Sequence, residues 1–113
     1  MEEFESIHQN RDFQRVYSRG KSFVSPVLVT YVLKNRNRKR TLRVGITASK
    51  RTGNAVRRNR SRRVIREAFR TMPREVKPGY DIIFVARAKT PFMKSTHIRR
   101  VMEQHLNSAG VVK

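Results

Sequence analysis

A chain of 113 residues has room for one domain, and 37% apolar residues can fill a modest core if they are well patterned. Its 27 Lys+Arg against 8 Asp+Glu give a formal charge of +19, which repels itself in a folded chain unless a polyanion neutralises it. Zero cysteines exclude disulfides and thiolate metal sites, no apolar run approaches the ~20 residues of a membrane-spanning helix, and nucleic acid is the natural polyanion that remains.

The start, MEEFES, is acidic and lacks an apolar stretch, so it does not read as a secretory signal; a cytoplasmic setting is expected. Asn10 is a plausible N-cap, with Asp12 in a first turn where negative charge suits the helix dipole. Phe13, Val16 and Tyr17 then share one face and Gly20 supplies a stop, which predicts a helix over roughly 10–18. Residues 22–33 (SFVSPVLVTYVL) are β-branched and aromatic and read as a strand, bulged, at an edge or broken in two at Pro26. Val27, Val29, Tyr31 and Leu33 fall on one side of its pleat, and Leu28, Thr30 and Val32 on the other. The run KNRNRKRT (34–41) is a basic, exposed turn. Beyond it Leu42, Val44, Ile46 and Ala48 alternate with Arg43, Gly45, Thr47 and Ser49, a strand expected to pair back on the previous one as a hairpin.

A turn at Thr52, Gly53 and Asn54 leads into a helix that ends near Met72 and Pro73. A Pro-Gly turn at 78–79 precedes DIIFVARA, a buried strand at 81–87. Ile98, Val101, Met102, His105 and Leu106 keep amphipathic helical spacing, with Ser95 a candidate cap and Gly110 a stop. The order α-β-β-(β)-α-β-α predicts an α/β (α+β) two-layer sandwich with a mixed sheet. We expect a single domain over 1–113, with 1–9 and 107–113 as candidates for flexible ends.

The helix after Gly53 carries the chemistry. Val64, Ile65, Ala68, Phe69 and Met72 fill one arc around small Ser61. Arg62, Arg66 and Arg70 stack on another, flanked by Arg63 and Arg60, with Glu67 as the one acid. Like charges at i, i+4 cost a few tenths of a kcal/mol each in an isolated helix, and folding does not ask for them. Phosphates turn that cost into attraction, since guanidinium forks match phosphate geometry. Arg57 and Arg58 sit where the helix dipole opposes cations, which favours an anion close to the Gly53 turn; Lys50 and Arg51 enter the same turn. A solvated basic face is the bland reading, but it does not explain such crowding. Phe13, Tyr17 and Tyr31 offer stacking surfaces for unpaired bases, although by pattern alone such residues are more often core; Phe69, Phe84 and Phe92 read as packing residues. His8, His97 and His105 are too scattered to hold a metal, with His105 on an apolar face. No Ser–His–Asp grouping, P-loop or acidic cluster marks the protein as an enzyme by itself.

The stretch 49–70, with Gly53, Asn54, Ala55, Val56, then Arg58, Asn59, Arg60, then Arg62, Arg63, Val64, Ile65, Arg66, resembles the signature of the bacterial ribonuclease P protein family, whose "RNR" helix has this form. The resemblance extends to Asp12-Phe13-Gln14-Arg15-Val16-Tyr17 with Gly20, to Leu42-Arg43-Val44-Gly45 and to Tyr80-Asp81-Ile82-Ile83. It implies the family's sandwich, resembling a domain of ribosomal protein S-five and elongation factor G, with a left-handed βαβ crossover against the usual hand. It also implies a catalytic RNA partner that holds Mg²⁺, and removal of the 5′ leader of precursor tRNA. By position, Lys50, Arg51, Arg58, Asn59, Arg60, Arg62, Arg63 and Arg66 are expected to contact the catalytic RNA. Phe13, Tyr17 and Tyr31 are expected to line a cleft for the single-stranded leader. No catalytic and no metal-ligating residue is expected in the protein, which is taken to be monomeric apart from its RNA. A ribosomal protein or RNA chaperone is the alternative, sharing the charge without needing the cleft. A DNA-binding helix would need more base-reading residues than Asn59.

Overall fold

In the computed structural model, which describes residues 4–113, the chain runs β1 (Glu5–Ser6), α1 (Asn10–Arg19), β2 (Lys21–Val24), β3 (Leu28–Lys34), β4 (Leu42–Thr47), α2 (Ala55–Arg70), β5 (Tyr80–Ala86) and α3 (Ser95–Ser108). Short 3₁₀ turns at Lys50–Thr52 and Thr90–Phe92 lead into α2 and α3. Pro26 does break the first predicted strand: β2 and β3 form an antiparallel hairpin around it. Ser25 closes that turn, its hydroxyl donating to Leu28 O at 3.0 Å while the N–H of Leu28 donates back to Ser25 Oγ at 3.1 Å.

The five strands form one mixed sheet in the order β1-β4-β5-β3-β2. The hairpin expected between 22–33 and 42–48 is therefore corrected. β5 lies between β3 and β4, antiparallel to the first and parallel to the second. The reason is burial on both faces. Ile82 and Phe84 point into one core and Ile83 into the other, all with no exposed surface, and only a central strand offers two covered faces. Residues 34–41 thus bridge across the start of β5, with Asn35 N–H donating to Gly79 O and Gly79 N–H to Thr41 O, each at 2.8 Å.

On one face α2 and α3 pack Ile65, Ala68, Phe69, Ile98, Met102 and Leu106 against Leu28, Val32, Val44, Ile82 and Phe84. Each such fully buried side chain contributes about 1.5–3 kcal/mol of transfer free energy. The row Val32–Ile82–Val44 runs in register across β3, β5 and β4. Among the described residues the reverse face is covered by α1, through Val16 and Phe13, and by the preceding Ile7, against Ile83, Tyr31, Leu33 and Val85. The split of β3 into two faces follows the predicted alternation from Leu28 onward, whereas Val27 belongs with the α2–α3 core.

Helix ends differ in detail from the sequence reading. Gln9, not Asn10, is the N-cap of α1, and Ser95 is the first helical residue of α3 behind Lys94; neither cap makes a side-chain bond. Gly110 does end α3, with φ +74°. The residues after it pack against the body of the fold. Val111 and Val112 are buried, Val76 bridges to Val112, and Lys113 N–H donates to Glu75 O at 2.8 Å. At the other end β1 pairs with β4 and Ile7 is buried, while residues 1–3 of the expected flexible segment lie outside the described residues.

His105 sits on the apolar face of α3, as read from the sequence. Its Nδ1 is hydrogen-bonded to Thr30 Oγ1 at 2.8 Å and its ring lies 6.1 Å from that of Phe23. Burial pushes its pKa below the ordinary value of 6.5. The unfolded chain therefore binds the proton first, so stability is complete above that value and is lost as pH falls through it towards the depressed folded pKa. Urea melts should show this loss in mild acid, and His105→Gln should flatten it; an unchanged pH dependence in the variant would assign the loss to other groups.

Candidate nucleic-acid interface

The arginine helix is positioned by the turn before it. Gly53 has φ +132°, a conformation that side-chain-bearing residues rarely adopt, so glycine is favoured there on conformational grounds. Asn54 is the N-cap of α2, its Oδ1 accepting from Arg57 N–H at 2.9 Å. Ser61 Oγ donates to Arg57 O, and Ser61, Ile65, Ala68 and Phe69 face the sheet. Burying that arc forces the remaining arcs outward with their guanidinium groups.

The predicted RNA-contact residues fall into two groups around α2. Asn59, Arg62 and Arg66 lie on the side towards the end of β4, where Arg62 Nη1 donates to Asn59 Oδ1 at 3.0 Å and Nη2 to Ala48 O at 3.4 Å. Lys50 and Arg51 are exposed on the 3₁₀ turn there, and the half-buried Arg58 reaches Gly53 O at 3.5 Å. Arg60 and Arg63 line a groove on the side of α3, and Arg60 Nε donates to Pro91 O at 2.5 Å. Among the described residues, none of Lys50, Arg51, Arg58, Arg60, Arg62, Arg63 or Arg66 has a carboxylate partner. Glu67 binds Arg70 at 2.5 Å, and that bond holds its carboxyl below the usual range. The helix thus presents positive charge that nothing described in the protein neutralises.

Phe13, Tyr17 and Tyr31 do come together. The row Tyr31–Ile83–Gly45 crosses β3, β5 and β4 and forms a floor under α1. The Phe13 and Tyr17 rings are 6.2 Å apart, and the Tyr17 and Tyr31 rings 5.0 Å apart, edge to face. Tyr17 is 39% exposed, while Phe13 and Tyr31 are half-buried. Gly45 makes the approach possible, since a Cβ there would lie 2.8 Å from Phe13 Cε1. Tyr17 Oη reaches Thr47 Oγ1 at 3.4 Å, and Thr47 leads through Ala48 and Ser49 to Lys50. The aromatic cluster thus reaches the strand end from which the chain enters the basic turn.

A network that was not legible in the sequence holds α1 above this floor. Arg43 and Asp81 are direct cross-strand neighbours. Arg43 Nη2 donates to Asp12 Oδ2 at 2.7 Å, Arg15 Nη2 to Asp81 Oδ2 at 2.8 Å, and Asn35 Nδ2 lies 3.1 Å from both Asp81 oxygens. The Arg43 hydrogen bond holds the Asp12 carboxyl below its ordinary value of 3.8, against the opposing effect of burial. Asp12 therefore stabilises the fold above that pH, a contribution lost only as strong acid brings the pH down through the depressed folded pKa. The scattered acids of the sequence gain their function only when the sheet order places Asp81 beside Arg43.

Phe92, read from sequence as a packing residue, is corrected: it is 67% exposed on the 3₁₀ turn before α3. Phe69 and Phe84 are core residues as expected.

A family model described as Ribonuclease P matches residues 1–110 of this chain. The ribonuclease P protein component of Clostridium novyi (strain NT) is 42% identical over 111 residues, covering 98% of each chain. The solved RNase P protein of Staphylococcus aureus superposes with a TM-score of 0.81 at 35% identity, covering 98% of this chain and 100% of that one. The RNase P protein of Thermotoga maritima gives a TM-score of 0.72 at 28% identity, over 90% and 94% of the two chains.

Proposed function

Because the chain belongs to the ribonuclease P protein family, and is thus a protein component of the ribonucleoprotein that matures tRNA 5′ ends, we propose that it grips two RNAs on adjoining surfaces. The arginine helix and its turn bind the catalytic RNA through Lys50, Arg51, Arg58, Asn59, Arg60, Arg62, Arg63 and Arg66. The cleft of Phe13, Tyr17 and Tyr31 holds the single-stranded leader of precursor tRNA. The observation that supports this reading is the contact at Thr47: the aromatic cluster reaches a residue three positions before a cationic turn with no carboxylate partners among the described residues. A leader lying there offers bases to the rings and phosphates to the cations. It adds affinity for precursor over mature tRNA and leaves no product held in the cleft.

In this proposal the protein is inactive alone, acts as a cytoplasmic monomer on its RNA, and leaves Mg²⁺ to the RNA. Asp12 and Asp81 are engaged by arginines, and the described residues contain no cluster of His, Asp and Glu able to hold a metal ion.

The experiment is cleavage of labelled precursor tRNA by a bacterial ribonuclease P RNA at low Mg²⁺, with and without the protein. Correct 5′ cleavage restored by the protein, with none from the protein alone, supports the proposal. Binding without any gain in cleavage would favour a ribosomal or chaperone role instead. Affinity for single-stranded leader should also fall steeply with salt, each neutralised phosphate adding about −0.7 to the log–log slope; a nearly flat slope would refute the electrostatic account.

A further inference from the structure

Phe92 is an aromatic ring held out into solvent by a rigid mount. Pro91 before it is buried, and Pro91 O accepts from Arg60. Thr90 has no exposed surface, donates through Oγ1 to Val27 O at 2.7 Å and accepts there from Arg87 N–H at 2.7 Å. Phe92 N–H donates to Lys89 O and Met93 N–H to Thr90 O, each at 3.1 Å. The backbone on both sides is thus fixed, and the ring does not turn inward. Arg57 Cζ lies 5.1 Å from the ring centroid, yet Phe92 stays 67% exposed with that guanidinium in place. Next to it, a groove of about 540 Å³ between α2 and the start of α3 is lined by Arg60, Arg63 and Lys94. Its one acid, Glu67, is engaged by Arg70.

An exposed ring with a cation on it, beside a basic groove of nucleotide size, has the components of a single-strand site: a π-face for a base and charge for the backbone. We propose that Phe92 is a base-stacking residue, on which an unpaired nucleotide lays its base while its phosphate enters the groove of Arg60, Arg63 and Lys94. The inference rests on the RNA-binding reading above and adds a second stacking surface, on the α2–α3 side of the sheet, to the cleft under α1.

The chain contains no tryptophan, so Phe92→Trp introduces a single indole at the site. In the full-length protein its fluorescence should be quenched on titration with short oligoadenylate and should not respond to fully paired RNA. Phe92→Ala and Phe92→Leu should each lose about ten-fold in oligoadenylate affinity, and Phe92→Trp should not. Titrations of Phe92→Ala then separate the sources of the base. Weaker binding to ribonuclease P RNA alone places it in that RNA; weaker binding of the holoenzyme to precursor but not mature tRNA places it in the leader. Wild-type affinity of Phe92→Ala for all three RNAs, with unchanged indole emission in the complexes that form, overturns the proposal. These readouts need no cleavage, so failure of the wild-type protein to restore cleavage would sink the ribonuclease P reading without deciding this one.

Discussion

Replacing Asp81 with alanine should destabilise the fold by about 3–5 kcal/mol, the cost of removing one partner from a buried ion network. Asp81 has no exposed surface and accepts from Arg15 and Asn35, with Arg43 Nη1 3.6 Å away. Its removal leaves Arg43, whose side chain is only 11% exposed, with Asp12 as its remaining carboxylate, and takes the acceptor from Arg15 and Asn35. A domain of this size has only about 5–15 kcal/mol of stability in total, so the variant should melt early or fail to fold. Asn35→Ala removes one donor and leaves the charges paired, so it should cost about 1 kcal/mol. Urea denaturation of both variants gives the comparison. An Asp81→Ala loss no larger than that of Asn35→Ala would show that the network adds little.

The second large effect concerns discrimination. Phe13→Ala should weaken precursor tRNA binding by the holoenzyme about ten-fold, the worth of one stacked base, while mature tRNA binds as before. Phe13 also packs on Ile83 and Gly45, so its removal acts on the fold as well as on stacking, and Gly45→Ala separates the two. Its added methyl lies within 2.8 Å of Phe13 Cε1 and displaces the ring without removing it. Anisotropy titrations with labelled precursor and mature tRNA should show the same selective loss in both variants. Equal weakening for the two tRNAs would refute the leader cleft.

The elements with strong local periodicity were legible. The apolar arc of α2, with Ser61 at its centre, is written in every turn, and its arginines follow as the remainder. The order of the strands was not. β3 and β4 are adjacent in sequence and both alternate, which suggests a hairpin; nothing local says that residues 80–86 will come between them. The hint was the run Ile82, Ile83, Phe84, apolar at consecutive positions where a half-exposed strand would alternate. Phe13, Tyr17 and Tyr31 were recognisable as a set through the family signature, but their floor depends on the Tyr31–Ile83–Gly45 register, which only the sheet order creates. The same order brings Asp81 to Arg43. Phe92 was misread because composition says nothing of which rings a rigid turn will hold outward.

The central place of β5 also sets the order in which the protein comes into being during synthesis. Until Tyr80–Ala86 leaves the ribosome, β3 has only β2 beside it and β4 only β1, so the two halves of the sheet have no seam to join them. The arginine helix is made entirely within that interval and waits without the core that its apolar arc will cover. A chain cut off before residue 80 is therefore a cationic, unfinished fragment with exposed apolar surface. Release of a finished chain closes the sheet, hides the apolar arc of the helix and leaves its charged arcs facing outward.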